Sequence, residues 1–231
     1  MSPPASSLIQ VDGKKNERYC VLVLGKRAPG QELEAFRHEA VQRIEDQELP
    51  QGCTFRALSQ AVARAYRNGE PAYDALEEYL FSDHSAAHAW VGNVARISVA
   101  TQGVVLLTQV VVLVEGPVAE QGLKHIELLN RRQGMTRQEF MSYWRDRHGP
   151  LAAAIPGVRR YHQLPTTDLT NPAGSASFDG MAILWFDSVD AMREGAQHPA
   201  FRMTREDMPR LVNPSRTSSV LVQEVCSSGD R

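Results

Sequence analysis

Two side chains able to exchange a proton, His148 and Tyr161, lie within one short stretch, YWRDRHGPLAAAIPGVRRYH, at residues 143–162. Imidazole takes up and releases a proton near neutral pH, and a phenol both donates and accepts a hydrogen bond. Brought together, they would suit general acid–base catalysis, which contributes roughly 10² to 10⁴ in rate. That is enough for a dehydration, an enolisation or a lactone rearrangement of an activated substrate, but not for an unactivated C–H bond. Phe140, Tyr143 and Trp144 precede the histidine at helical spacing and, with Trp185, are candidate walls for a flat aromatic or alicyclic ligand. Arg131 and Arg159 are candidates to hold a carboxylate. Each has an ordinary competing reading: the aromatic stripe as core, the arginines as solvated charges, the histidine as a residue at a helix end.

The elements that would position these groups are marked locally. Thr136 and Glu139 form a T-x-x-E capping box, with Met135 and Phe140 at the positions of a hydrophobic staple. Phe140, Tyr143, Trp144, Arg147 and His148 then follow at i, i+3, i+4, i+7 and i+8, one face of a helix expected over about 137–148. Gly149 and Pro150 are expected to end it, leaving His148 where the helix dipole favours the imidazolium. Pro156 and Gly157 turn the chain into the strand VRRYHQL, where alternation sends Tyr161 and His162 to opposite faces. With Tyr161 on the helix side, its hydroxyl could approach His148.

The chain also repeats itself with a shift of about a hundred residues. YDALEEYLFSD (73–83) falls on FDGMAILWFDS (178–188), pairing Asp74 with Asp179, Leu76 with Met181 and Phe81 with Phe186. Lys26 and Arg27 fall on Arg131 and Arg132. Each half reads strand, helix, strand, strand, helix, strand, with second-half strands at about 124–131, 158–164, 178–186 and 218–225 and a second helix at about 188–196. This split βαβ order puts two helices on one face of an antiparallel sheet and leaves the other face apolar. The expected fold is therefore α+β: two tandem ferredoxin-like (βαββαβ) units packed sheet to sheet as an intrachain dimeric α/β barrel. The expected division is a disordered tail at 1–17, a first domain at 18–117, a second at 118–226 and a tail at 227–231. Counting from matching landmarks, His148 falls on Ile44, Trp144 on Ala40 and Tyr161 on Phe55, so the first half reads as a scaffold and the second as the working half.

A net charge of −2 with Lys and Arg scattered among Asp and Glu argues against a nucleic-acid partner. The apolar run at 104–114 is too short to span a bilayer and reads as a buried strand, so no membrane partner is expected. The start lacks a secretory h-region, which makes the cytoplasm the expected location. Cys20, Cys53 and Cys226 show no CxxC spacing, and His84 with His88 has no evident third ligand, so no metal is expected. His198, before Pro199, is expected in a loop.

The run FMSYW from Phe140 to Trp144, HGPLA opening at His148, the Pro156 and Gly157 turn, Tyr161 and FDGMAILWFDS together resemble the EthD family of the dimeric α+β barrel superfamily, over about 122–226. The first half resembles the same domain more weakly, as a degenerate copy. The resemblance implies a ferredoxin-like fold that pairs through its sheets, a pocket between sheet and helices, and acid–base work for His148 and Tyr161. It includes an accessory protein of ether degradation, a muconolactone methylisomerase and dehydratases of aromatic polyketide pathways. The preferred expectation is a cofactor-independent lyase or isomerase acting on a small hydrophobic, cyclic or aromatic metabolite, as a monomeric pseudo-dimer or a homodimer. The alternative is a non-catalytic accessory or metabolite-binding protein supporting an oxygenase. A third reading, haem held by His148, follows only from haem-binding relatives in the broader superfamily.

Overall fold

The computed structural model describes residues 17–62, 70–97, 102–167 and 178–230. Nearly all of the tail expected at 1–17 lies outside the described residues. The first unit comprises β1 (Tyr19–Lys26), α1 (Leu33–Asp46), β2 (Cys53–Ala61), β3 (Ala75–Phe81), α2 (His84–Ile97) and β4 (Gln102–Gln109). A short β5 (Val111–Val114) leads into the second unit: β6 (Leu123–Leu129), α3 (Arg137–Tyr143), a π turn (Trp144–His148), α4 (Gly149–Ala153), β7 (Arg160–Pro165), β8 (Gly180–Phe186), α5 (Val189–Gln197), α6 (Pro199–Leu211) and β9 (Ser218–Gly229).

Within each unit the strands pair antiparallel in the same order, β4-β1-β3-β2 and β9-β6-β8-β7, which is the expected ferredoxin-like arrangement. The two units join edge to edge where β2 pairs with β9, giving one nine-stranded sheet. Its free ends, β4 and β5, are consecutive in the chain, and the Thr167 N–H donates to the Leu107 carbonyl at 2.8 Å beside a Thr108–Thr166 bridge. The sheet thus curls into a nearly closed barrel supplied by one chain, leaving few unpaired edges. The apolar run at 104–114 is two strands rather than one: β4 pairs with β1, and β5 with β7 of the second unit. The crossover therefore falls before the linker at 115–122. β9 runs on to Gly229, because its last residues pair with β2, so most of the expected 227–231 tail is strand.

Strand alternation sorts the side chains into three layers. Leu22, Leu24, Ile126, Leu128, Met181, Ile183, Val220 and Val222 fill the barrel interior. Phe36, Ala40 and Ile44 of α1 pack with Val21, Val23 and Tyr79 on the outer face of the first unit. Phe140 and Trp144 pack with Tyr161, Leu184 and Leu221 on that of the second. Within the interior, Lys124 is 1% exposed, paired with Glu78, 2.9 Å from Glu224 Oε2 and 3.0 Å from Ser59 Oγ.

The repeat is visible in matched ion pairs. Asp74 accepts from the Arg27 backbone N–H at 3.0 Å and from its guanidinium; Asp179 accepts from the Arg131 N–H at 2.8 Å and pairs with its guanidinium. Arg27 therefore matches Arg131, one residue off the expected pairing. A second slip affects Tyr161. It pairs in register with Leu184, and the equivalent of Leu184 is Tyr79, whose partner on β2 is Arg56, not Phe55. The cause is a bulge between Cys53 and Phe55 that absorbs one residue and turns Phe55 into the barrel.

The buried cluster joins the two units across the barrel, and truncating one member leaves opposite charge without its partner. Lys124→Ala is expected to cost about 3–5 kcal/mol of unfolding free energy, and the Lys124→Met, Glu78→Leu double variant much less. Urea unfolding of the three proteins checks this.

Candidate active site

The second unit's helical layer is not a plain helix. The capping box forms as expected, with Thr136 accepting from the Glu139 N–H and the Glu139 carboxylate accepting from the Thr136 N–H. After α3 the helix neither stops nor continues regularly. The Gly149 N–H donates to the Trp144 carbonyl, five residues back, and Gly149 keeps a helical φ of −55°. Pro150 has no N–H and its ring would crowd the carbonyl four residues earlier in a regular helix. One widened turn relieves that conflict, and the chain goes on as α4. The expected stop at Gly149 and Pro150 is thus a π turn, and His148 does not sit at a helix C-terminus. The change also narrows the expected stripe: Trp144 and His148 are buried, while Arg147 is exposed.

Close approach fixes the turn against the sheet. A Cβ at position 180 would meet the Trp144 ring at 2.6 Å, and one at 149 would meet Gln163 Nε2 at 2.8 Å, so glycine is required at both. The Gln163 amide donates to the Trp144 carbonyl at 2.9 Å and to the Tyr161 phenol oxygen at 3.1 Å.

His148 is 3% exposed, and its Nδ1 lies 2.9 Å from Asp207 Oδ2. The other Asp207 oxygen accepts from the Tyr143 hydroxyl at 2.6 Å. Burial pushes the Asp207 carboxyl up, but the bonds from Tyr143 and His148 and the nearby charges outweigh it and hold it below the usual aspartate value. An ionised carboxylate only accepts, so Nδ1 carries a proton and Nε2 is left for a ligand. The Tyr161 phenol is fully buried; burial raises its pKa, and the Gln163 hydrogen bond offsets this only in part. It therefore remains protonated at neutral pH, with its oxygen already accepting from Gln163.

Both groups line a cavity of about 650 Å³ between sheet and helices. The sheet contributes Tyr161, Leu184 and His125 in one cross-strand row, and Ala182 and Glu127 in the next. The helical layer contributes Trp144, His148, Phe201, Thr204 and Met208. In the first unit, register places Tyr79 and Glu77 where the second has Leu184 and Ala182, and Val21 and Val23 where it has His125 and Glu127. Tyr79 packs against Trp90 with ring centroids 5.3 Å apart and donates to Glu77 at 2.7 Å, and Glu77 pairs with Arg43. That layer is plugged by a polar network rather than by hydrocarbon alone.

Of the expected site residues, the structure brings Trp144, His148 and Tyr161 to the cavity wall and leaves five outside it. Phe140 lies behind Trp144, 5.3 Å between ring centroids. Tyr143 supports Asp207 from the side. Arg131 is bound to Asp179 and to the Met135 carbonyl, and the exposed Arg159 to Asp187 at 2.6 Å. Trp185 faces the barrel interior, because strand alternation puts it opposite Leu184 and Phe186; there it packs edge-on to His162 at 4.7 Å. Asp207, His125 and Glu127 are functional candidates that the sequence reading missed. α6 was not expected: Pro199 begins it, and His198, expected in a loop, caps it by accepting from the Ala200 N–H at 3.2 Å. The signal was the spacing of Thr204, Asp207, Met208 and Leu211, which puts a carboxylate on the inward face of an amphipathic helix.

Among the described residues no group of three or more His, Cys, Asp or Glu side chains is arranged to hold a metal ion, and no helix is long and apolar enough to cross a membrane. All three cysteines are free.

No curated protein matches the chain in sequence. Among solved structures, an anthrone oxidase-like protein is similar at 13% identity, with TM-score 0.65 and 94% of each chain covered. A variant chlorite dismutase from Candidatus Nitrospira defluvii is similar at 11% identity, with TM-score 0.55, over 92% of this chain and 93% of that one. At such identities the likeness concerns the fold. An EthD family protein from Bacillus halodurans aligns at 18% identity and TM-score 0.35, covering 48% of this chain and 99% of its own. Residues 132–215, which include the π turn, His148, Tyr161 and Asp207, match the family model described as the EthD domain, and the chain as a whole carries two ferredoxin-like units joined in one nearly closed antiparallel barrel.

Proposed function

We propose that the second unit binds a small cyclic or aromatic metabolite in the cavity and acts on it as a cofactor-independent lyase or isomerase. The observation that carries this reading is His148 in the cavity wall, backed by buried Asp207, with Nδ1 committed to the carboxylate and Nε2 left over. Asp207 orients the imidazole, so His148 can exchange a proton with a substrate carbon or oxygen through Nε2. Tyr161, held protonated, donates to a substrate carbonyl and stabilises the enolate that forms. The mainly apolar walls suit a flat ring and keep bulk water from competing for these bonds.

The second reading, a metabolite-binding accessory protein, is favoured by those same apolar walls. It requires affinity without conversion. A panel of aromatic-catabolic and polyketide metabolites, followed for both binding and product mass, separates the two. Conversion by the unaltered chain is expected, with a fall of at least about 10²-fold in the His148→Ala, Tyr161→Phe double variant. Turnover that survives unchanged in that variant refutes the mechanism. A Soret band in the purified protein that is lost in His148→Ala would instead favour haem held by His148.

Asp207 links the site to stability. Because its pKa is lowered in the folded state, its contribution is fully present above the ordinary aspartate value of about 3.9 and is lost as pH falls through the lower folded value. Asp207→Asn is therefore expected to destabilise the protein at pH 7, and by a margin that shrinks below pH 4. Urea unfolding at pH 7 and at pH 3 measures the difference.

A further inference from the structure

The cavity holds a second acid–base group that the Asp207 arrangement does not use. Glu127 points from β6 into the same space as Tyr161 and His148, and it has no hydrogen-bond or ion-pair partner among the described residues. Glu127 is only partly buried, so its carboxylate stays accessible to a ligand entering the cavity. Its neighbour on β8 is Ala182, whose small side chain leaves the Glu127 carboxylate open to the cavity. The equivalent position in the plugged first unit is Val23, so the carboxylate and the cavity occur in the same half. The negative charge of Glu127 also reaches the Tyr161 phenol, adding to the rise in its pKa. The sheet thus presents Glu127, beside Tyr161 and His125, and the helical layer presents His148 to whatever lies between them.

We propose that Glu127 is a second catalytic residue, facing the bound ring from the sheet while His148 faces it from the helical layer. The cavity would then isomerise a cyclic ketone or lactone by moving a proton between two of its carbons. This inference rests on the roles given above to His148 and Tyr161. The Glu127 carboxylate takes a proton from the carbon beside the carbonyl. The electron pair of that C–H bond enters the conjugated system as a dienolate, whose oxygen accepts from Tyr161. The imidazolium of His148, paired with Asp207, delivers a proton to the remote carbon. One C–H bond breaks and another forms, with no net oxidation. Glu127 and His148 recover their starting protonation by exchange with water.

The test uses the full chain and cyclohex-3-enone, a β,γ-unsaturated ring ketone whose isomerisation to the conjugated enone is followed by ultraviolet absorbance. The unaltered chain is expected to accelerate the conversion over buffer and, in D2O, to place deuterium at the remote carbon. Glu127→Gln is expected to lower kcat by at least about 10²-fold with KM little changed, and Glu127→Asp to restore part of the loss. If Glu127→Gln keeps full kcat while His148→Ala loses it, the second role fails and the proposed function stands. If the unaltered chain gives no acceleration, the proton shift proposed for Glu127 falls while the metabolite panel still decides the proposed function; if neither variant slows it, both roles fall. Circular dichroism of each variant confirms the fold in which the rate is read.

Discussion

The amide of Gln163 ties the two layers of the second unit together, and the geometry of the cavity depends on it. One nitrogen donates both to the Trp144 carbonyl, which opens the π turn, and to the Tyr161 oxygen on its own strand. The turn exists because Pro150 forbids a regular one, and a widened turn leaves its carbonyls in need of donors. Gly149 supplies one along the chain and Gln163 supplies the other from the sheet. The bond that stabilises an irregular helix is therefore also the one that sets the distance from His148 to the strand bearing Tyr161. Glycine at 149 and 180 is the steric condition for it, since a methyl group at either position would push the layers apart.

Local signals in the sequence were sufficient for much of this. The capping box, the order of strands and helices, the placing of His148 and Tyr161 on the cavity wall and the Asp74 and Asp179 landmarks all depend on residues close in the chain or on simple periodicity. The readings that failed depend on a single residue of phase. A bulge near Thr54 moved the counterpart of Tyr161 from Phe55 to Arg56, and strand alternation removed Trp185 from the cavity and placed it in the barrel. The aromatic stripe had the right residues but not the right angle, because a π turn changes the helical phase at the point where His148 is reached. Asp207 was hidden for a different reason. Its helix begins at Pro199 directly after α5, and a helix broken by a cap and a proline looks like a loop when read only for periodicity.

The two halves share a backbone plan and have opposite interiors. In the first, Arg43, Glu77, Tyr79 and Trp90 occupy the layer between sheet and helices; in the second, Ala182 and Leu184 leave it open. A barrel made from two identical chains could not divide the work in this way, since each substitution would appear in both units. Joining the units in one chain removes that constraint.

The division has a mechanical consequence for the site. Ser219 and Leu221, which help line the cavity, lie on β9, the strand shared between units. Left as an edge, such a strand could bend away and release the two rows that hold His125 and Glu127. Here β2 pairs with it along its outer side, and Lys124 from β6 reaches through the barrel to Glu78 of the first unit. A cavity of this size lowers the packing energy of the unit that contains it. The filled unit, well packed and hydrogen-bonded to the shared strand, offsets that loss and holds the open wall in place.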